Sequence, residues 1–291
     1  MSAPDISVVI PIFNEEQGLP LLCARLFPAL DALRRPYEVI FIDDGSRDGS
    51  AAALRAIFAK RRDVVRVLLL RFNVGQHLAI LAGFERTRGR HVVTLDADLQ
   101  NPPEEIGRVV AELDAGHDFV GTVRQLRQDV WWRRTASNLI NAIRDRITDI
   151  RITDQGCMLR GYGRNVVDAM NACEEVSTFV PALAYGFATR RTEIPVAHEE
   201  RAAGETKYSL YKLIRLNFDL MTGFSLVPLQ LVSLFGLLVS MISLGFVAYL
   251  AVRRIVMGPE AEGLFTLFGI LFFLVSVTMV GIGLIGEYVG R

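Results

Sequence analysis

Hydrophobic and polar residues change their spacing several times along the chain, and the changes mark out alternating elements. Ile6 to Ile10 is an apolar run closed by Pro11. A helical pattern follows Asn14, a residue type suited to an N-cap, with Glu15 and Glu16 expected in the first turn. Tyr37 to Ile42 is a second apolar run that ends in Asp43-Asp44-Gly45-Ser46, and Asp48 is expected to cap a helix reaching Arg61. Val64 to Leu70 predicts a third strand, Gln76 to Arg88 a helix, His91 to Leu95 a fourth strand and Asp118 to Gly121 a fifth. Short strands alternating with helices predict an α/β domain with a mainly parallel sheet covered on both faces. In such sheets a ligand sits beyond the carboxyl ends of the strands. Two acidic motifs, Asp43-Asp44-Gly45-Ser46 and Asp96-Ala97-Asp98, fall at two of those ends.

Past residue 130 the pattern changes. Residues 130–149 read as an amphipathic helix, with Leu139, Ile140, Ile143 and Ile147 on one face and Trp131, Trp132, Arg133 and Arg134 leading in. An ordinary surface helix and a membrane-interface element both fit, because Trp favours the headgroup zone. Tyr208 to Met221 is a second interfacial candidate. Charge then disappears: no Asp, Glu, Lys or Arg lies between Asp219 and Arg253, nor between Glu262 and Glu287. A bilayer span needs about 20 apolar residues, so spans are predicted from Phe224 to Val252 and from Gly263 to Gly286. The expected organisation is a globular domain over 1–206, a juxtamembrane amphipathic helix over 207–222 and a two-helix transmembrane hairpin over 223–291. Lys207, Lys212, Arg215 and Arg291 flank the outer ends of the hairpin, against Arg253 and Arg254 in its loop, which favours a cytoplasmic globular domain.

The composition adds exclusions. Lys plus Arg and Asp plus Glu are both 32 in 291 residues, so the net charge is zero and no basic excess points to nucleic acid. Cys23, Cys157 and Cys173 form no CxxC pair, and His77, His91, His117 and His198 show no metal-ligand spacing. There is no GxxxxGK[ST] and no HExxH, and Gly161-Tyr162-Gly163 lacks the third glycine of a dinucleotide fingerprint.

The candidate chemistry lies in the acidic motifs. In Asp96-Ala97-Asp98-Leu99-Gln100, residues i and i+2 of a strand end point the same way. Two carboxylates and an amide oxygen form a hard donor set suited to Mg²⁺ or Mn²⁺, which would neutralise a diphosphate. Asp44 can accept hydrogen bonds from a ribose or a base, although a turn with a helix cap explains Ser46 and Asp48 equally well. Arg124, Arg133, Arg134, Arg201 and Lys207 supply cations suited to phosphate.

Together these segments resemble glycosyltransferase family 2. The likeness rests on Ser7 to Glu15, Asp43 to Ser46, Asp96 to Pro103, Gly121 to Arg124 and Arg201 to Tyr208. With two spans following, the chain is similar to the polyprenyl-phosphate branch. That resemblance implies a GT-A fold and an inverting, metal-dependent transfer from a nucleotide sugar at the bacterial inner membrane. Asn73 to His77, Arg124 to Asp129, Gly156 to Arg160 and Ser177 to Pro181 narrow it further. They imply UDP-4-deoxy-4-formamido-L-arabinose as donor and undecaprenyl phosphate as acceptor, in the lipid A modification that gives polymyxin resistance. Pro11, Glu15 and Asp44 would hold the uridine, Asp96 the nucleotide or the metal, Asp98 and Gln100 the metal, and Arg201 the diphosphate. Arg124, Arg133, Ser137 and Lys207 would hold the lipid phosphate. Many relatives carry an acid where this chain has Cys157, and Asp154 is the nearest substitute for a base. The family usually continues past Arg291, so a C-terminal cytoplasmic element is expected to be missing or trimmed. Glucose or mannose transfer on the same scaffold, and a non-catalytic nucleotide- or lipid-binding subunit, remain the alternatives. Self-association is left open.

Overall fold

A computed structural model describes residues 3–124, 152–154, 156–173, 179–199, 227–258 and 264–289. They fall into two units, a sheet domain and a C-terminal helical unit.

The sheet domain holds seven strands: β1 (Ile6–Ile12), β2 (Tyr37–Asp43), β3 (Val65–Leu69), β4 (His91–Thr94), β5 (Phe119–Arg124), β6 (Arg160–Gly163) and β7 (Arg191–Val196). Its helices are α1 (Gly18–Ala32), α2 (Ser50–Lys60), α3 (Gln76–Phe84), α4 (Ile106–Asp114), α5 (Arg164–Asn171) and α6 (Val180–Phe187). The strand order is β3-β2-β1-β4-β6-β5-β7. Every pairing is parallel except the two made by β6, which runs antiparallel to β4 and β5. The five predicted strands are all present. Strand β2 is buried at every position and β1 at every position but Pro11, as expected of central strands covered on both faces.

Several elements depart from the sequence expectations. Strand β6 reads Arg-Gly-Tyr-Gly, which has no β-branched residue and no alternation, so nothing in its composition marks a strand. Its glycine is required by packing: a Cβ on Gly161 would lie 2.5 Å from Val109 Cγ1 of α4. Strand β7 contains Pro195 and lies at the sheet edge, where proline is tolerated. Helix α1 begins at Gly18 with Gln17 as N-cap, and no acid lies in its first turn, which corrects the reading of Asn14 as the cap. Asn14 instead adopts φ 56° and binds the loop after β2. Helix α3 stops at Phe84 rather than Arg88. Helix α2 ends at Lys60 and its N-cap is Gly49 rather than Asp48, which stands one residue earlier and accepts from Ser50 N through Oδ1 at 3.0 Å.

The C-terminal unit contains α7 (Val227–Met257) and α8 (Leu264–Val289), which pack against each other near Val232 and Gly281. Many of their large apolar side chains are exposed, among them Leu234, Met241, Leu271 and Val280. Among the described residues no helix is long and apolar enough to cross a membrane. The predicted helices over 130–149 and 208–221 lie outside the described residues.

Candidate active site

The loops after β1, β2 and β3 meet beyond the carboxyl edge of the sheet. Asp44 N donates to Ile12 O at 2.8 Å, Asn14 N to Ser46 Oγ at 3.0 Å and Glu15 N to Ser50 Oγ at 2.9 Å, so the first two loops are zipped together. The third loop is held by a carboxylate. Asp44 accepts from Val74 N at 2.7 Å, Asn73 Nδ2 at 2.9 Å and Gly75 N at 3.0 Å. Gly45, at φ 67°, permits the approach, because a Cβ there would lie 2.6 Å from the Phe72 carbonyl carbon. Asp44 is therefore 3% exposed and its carboxylate is engaged by the 73–75 loop. Pro11 and Glu15 are partly exposed beside it, as the sequence suggested, and Phe13 and Phe72 stand out at 45% and 67% exposure.

The chain after β4 alternates in burial. Asp96, Asp98 and Gln100 are partly exposed, while Ala97 and Leu99 are buried at 5% each. Leu99 sits at φ 60°, a left-handed conformation that a β-carbon disfavours, and the kink keeps its side chain in the core. The alternation puts two carboxylates and one amide on the accessible side, the arrangement that the spacing predicts. Gln76 Nε2 donates to Asp96 Oδ1 at 2.6 Å, and Asp98 Oδ1 accepts from Gln100 N at 3.1 Å. Among the described residues no cluster of three His, Cys, Asp or Glu could hold a metal unaided. The set fits an ion of the Mg²⁺ type, which takes one or two carboxylates and completes its shell with substrate phosphate and water.

On the other side of this loop, at the end of β5, Arg124 and Asp154 form a bidentate pair. Arg124 Nε and Nη2 donate to Asp154 Oδ2 and Oδ1 at 2.7 and 2.8 Å. Burial pushes the Asp154 carboxyl up, but the hydrogen bonds and charge of Arg124 outweigh it and hold the group below the ordinary carboxylate range. A base working near neutrality needs the opposite shift, and the bidentate geometry makes Asp154 an anchor for Arg124. Cys157 is fully buried between Asn101 Oδ1, to which its thiol donates at 3.2 Å, and Thr122 Oγ1 at 2.8 Å. Burial raises its pKa, so the thiol stays protonated.

Sequence reasoning passed over Arg160, which is fully buried at the start of β6. It donates from Nε to Cys157 O at 2.8 Å and from Nη2 to Asp154 O at 2.6 Å. Gln76 and Asn101 were also unassigned; Asn101 directly follows Gln100, whereas only the fold brings Gln76 to the acidic loop. Arg133, Ser137, Arg201 and Lys207 lie outside the described residues. The structure thus gathers Pro11, Glu15, Asp44, Asp96, Asp98, Gln100, Arg124 and Asp154 at one edge of one sheet.

Comparison with known proteins agrees with this geometry. Residues 7–170 match the model of glycosyl transferase family 2. The chain is 50% identical over 288 residues to the undecaprenyl-phosphate 4-deoxy-4-formamido-L-arabinose transferase of Aeromonas hydrophila subsp. hydrophila, covering 98% of this chain and 88% of that protein. The enzyme of the same name from Edwardsiella ictaluri is 49% identical over 288 residues, with 98% and 89% coverage. Among solved structures, a Pyrobaculum calidifontis mannosyltransferase in complex with GDP-Man and Mn²⁺ superposes with a TM-score of 0.52 at 18% identity, covering 75% of this chain and 61% of that one. Glucosyl-3-phosphoglycerate synthase from Mycobacterium tuberculosis, with Mn²⁺, UDP and phosphoglyceric acid, gives 0.52 at 19% identity, covering 75% and 76%. These two likenesses carry the fold, the GT-A arrangement of a mainly parallel sheet. The strand-end carboxylates, the family match and the near full-length relatives converge: this chain is a glycosyltransferase and belongs to family 2.

Proposed function

We propose that the protein transfers 4-deoxy-4-formamido-L-arabinose from its UDP-sugar to undecaprenyl phosphate, with inversion, for lipid A modification and polymyxin resistance. The observation that carries this is the half-identity over 98% of the chain to two transferases of that name. In this reading a phosphate oxygen of the lipid attacks the anomeric carbon while the bond to the UDP oxygen breaks. A phosphate monoester with a second pKa of about 6 is already ionised at neutral pH, so no base is required. That suits a site whose Asp154 is locked in an ion pair and whose Cys157 is a buried thiol.

Catalysis then rests on position and charge. Asp98 and Gln100, with Asp96 beside them, would hold Mg²⁺ or Mn²⁺, and the ion would neutralise the diphosphate leaving group. Pro11, Glu15 and Asp44 form the uridine side, Asp44 chiefly by setting the 73–75 loop. Arg201 steadies the diphosphate. Arg124, fixed in direction by Asp154, shares the lipid phosphate with Arg133, Ser137 and Lys207.

The lipid acceptor calls for a membrane anchor, and α7 and α8 suit that role. Over the full sequence, 220–252 and 263–286 carry no charge. Helices of 31 and 26 residues rise about 46 and 39 Å, more than the roughly 30 Å hydrocarbon core. Nucleotide sugars are cytoplasmic, so the sheet domain, here placed over 1–206, faces the cytoplasm.

The test is incubation with a panel of UDP- and GDP-sugars and undecaprenyl phosphate, with mass spectrometry of the lipid. A lipid product gained only from the formamido-arabinose donor is expected, and glucosyl or mannosyl lipid alone would overturn the donor assignment. In intact cells, a cysteine replacing Gly258 should react with an impermeant thiol reagent, and one replacing Lys60 should not.

A further inference from the structure

Arg25, on α1, is far in sequence from Asp96, Asp98 and Gln100, and its guanidinium grips two carboxylates at once. Nε and Nη2 donate to Glu104 at 3.0 and 2.9 Å, and Nη1 and Nη2 donate to Glu199 at 2.7 and 3.0 Å. Glu104 belongs to the turn that continues the acidic loop, Pro103–Glu105. Glu199 belongs to the chain that leaves β7. This exit chain is tied to the acidic loop a second time, through the backbone: Glu199 N donates to Gln100 O at 2.9 Å, and Ala197 N donates to Glu105 Oε1 at 3.4 Å. Two segments distant in sequence, α1 and the chain after β7, therefore close on the loop that carries Asp98 and Gln100 and on the turn that continues it.

Partly exposed ion pairs contribute little to stability one at a time, so a bare stabilising role would not need this arrangement. Two observations point further. A planar fork bonded to two carboxylates fixes direction as well as distance, which a lysine could not do. The carbonyl that the exit chain grasps belongs to Gln100, directly after Leu99, whose left-handed φ of 60° has to be held against its own preference.

We propose that Arg25 is a positioning residue for the metal-binding loop. By tying Glu104 to Glu199 it fixes the Gln100 backbone so that the Gln100 amide and the Asp98 carboxylate face one ion. The same tie fixes the start of the chain that reaches Arg201 two residues later. The inference rests on the donor-site reading above.

The experiment is calorimetric titration of the full chain in detergent with UDP, with and without MnCl₂, for wild type, Arg25→Met, Arg25→Lys, Glu199→Gln, Gln100→Ala and the Arg25→Met/Gln100→Ala double variant. Arg25→Met is expected to weaken UDP binding about fivefold to tenfold with Mn²⁺ present and to leave metal-free UDP binding unchanged. Residues coupled through one structure are non-additive, so the double variant should lose less than the sum of the two single losses. Arg25→Lys should restore less than half of the loss. Hydrogen exchange at the Glu199 amide should quicken in Arg25→Met. Glu199→Gln should weaken binding in the same metal-dependent way, and it carries the test if Arg25→Met does not fold. Equal losses with and without metal, additive losses in the double variant, or unchanged binding alongside faster Glu199 exchange would each overturn the proposal. Absence of any Mn²⁺-dependent UDP binding by the wild type would instead bring down the donor-site reading, and this inference with it.

Discussion

The two edges of the sheet are both rich in charge, but they use it differently. At the amino edge, carboxylates are neutralised by cations within the fold. Glu38, 2% exposed, accepts from Ser7 Oγ at 2.8 Å, Arg88 N at 2.7 Å and Arg88 Nη2 at 3.0 Å, with Arg66 Nη1 at 3.6 Å. Arg35 bridges Asp5 and Asp114, and Asp114 also meets His91 Nε2 at 2.9 Å. At the carboxyl edge, Asp44 is bound by N–H groups of a neighbouring loop, and Asp96, Asp98 and Gln100 keep part of their surface exposed. The partners differ between the two: Glu38, Asp5 and Asp114 are paired to cations of the fold, whereas Asp44 is bound by N–H groups and Asp96 accepts from the Gln76 amide. The first edge should therefore report on stability and the second on turnover.

The largest expected effect tests that division at Asp98. Asp98→Ala should lower turnover by roughly 10² to 10³, the cost typical of removing one preorganised electrostatic contact at a reacting centre. Its urea midpoint should stay near that of wild type, and EDTA should mimic it on the wild-type protein. Full turnover by Asp98→Ala in EDTA would remove the metal from this edge. The converse experiment is Glu38→Ala. Glu38 is buried although Arg88 and Arg66 are largely exposed, so its removal costs chiefly the hydrogen bonds from Ser7 and the Arg88 amide, about 1 to 3 kcal/mol; urea unfolding should shift by that order, while kcat/KM per folded molecule stays unchanged. A Glu38 variant of normal stability and poor turnover would collapse the distinction between the edges.

Asp154 sharpens the comparison, because it lies at the carboxyl edge and is paired to a cation, Arg124. Asp154→Asn should raise the apparent KM for the lipid about tenfold through a misdirected Arg124, with UDP affinity unaltered. It should also change acid stability. The folded-state pKa lies below the ordinary value of 3.8, so the wild-type carboxylate contributes stability above that value and loses it as pH falls through the folded pKa. The stability gap between wild type and Asp154→Asn should be full at pH 7 and close toward pH 3, by urea unfolding at several pH values. A change in the acidic limb of the pH–rate profile, where a general base loses activity on protonation, would assign Asp154 the role of base.

How much of this was legible in the sequence depended on how locally each feature is determined. Strand β1 holds an apolar run closed by Pro11, and β2 and β4 are apolar runs that lead into acids, so the sheet and the position of Asp96-Ala97-Asp98 at a strand end were legible from composition and period. The helix at 106–114 has its buried stripe of Ile106, Val109, Val110 and Leu113 at helical spacing and could have been found the same way. Strand β6 could not, because its reason for being a strand is the space between β4 and β5, not its own residues. The same holds for Asn14, whose helix-capping type was overridden by bonds to the loop after β2. Side-chain pairings such as Arg124 with Asp154, or Arg25 with Glu199, span 30 and 174 positions, and no local pattern encodes them.

The smallest expected effect concerns His77, at the start of α3 beside the residue that holds Asp96. Its Nδ1 is buried with no hydrogen-bond partner among the described residues, and its ring meets the edge of Phe179 at 4.9 Å. Burial, helped by the positive charge of Arg160, lowers its pKa from 6.5 to about 4. The imidazole is therefore neutral throughout the physiological range. Below pH 6.5 the unfolded chain takes up a proton that the folded chain refuses, so stability is full above 6.5 and falls as pH drops toward 4. The loss between pH 7 and pH 5 should be about 1 to 2 kcal/mol, and His77→Gln should remove that share of the acid sensitivity. The amino-edge His91, which already faces Asp114, serves as the control: His91→Gln should leave the His77 share in place. If His77→Gln unfolds with the same pH dependence as wild type, the ring titrates normally and the carboxyl edge is more open to water than its buried Nδ1 implies.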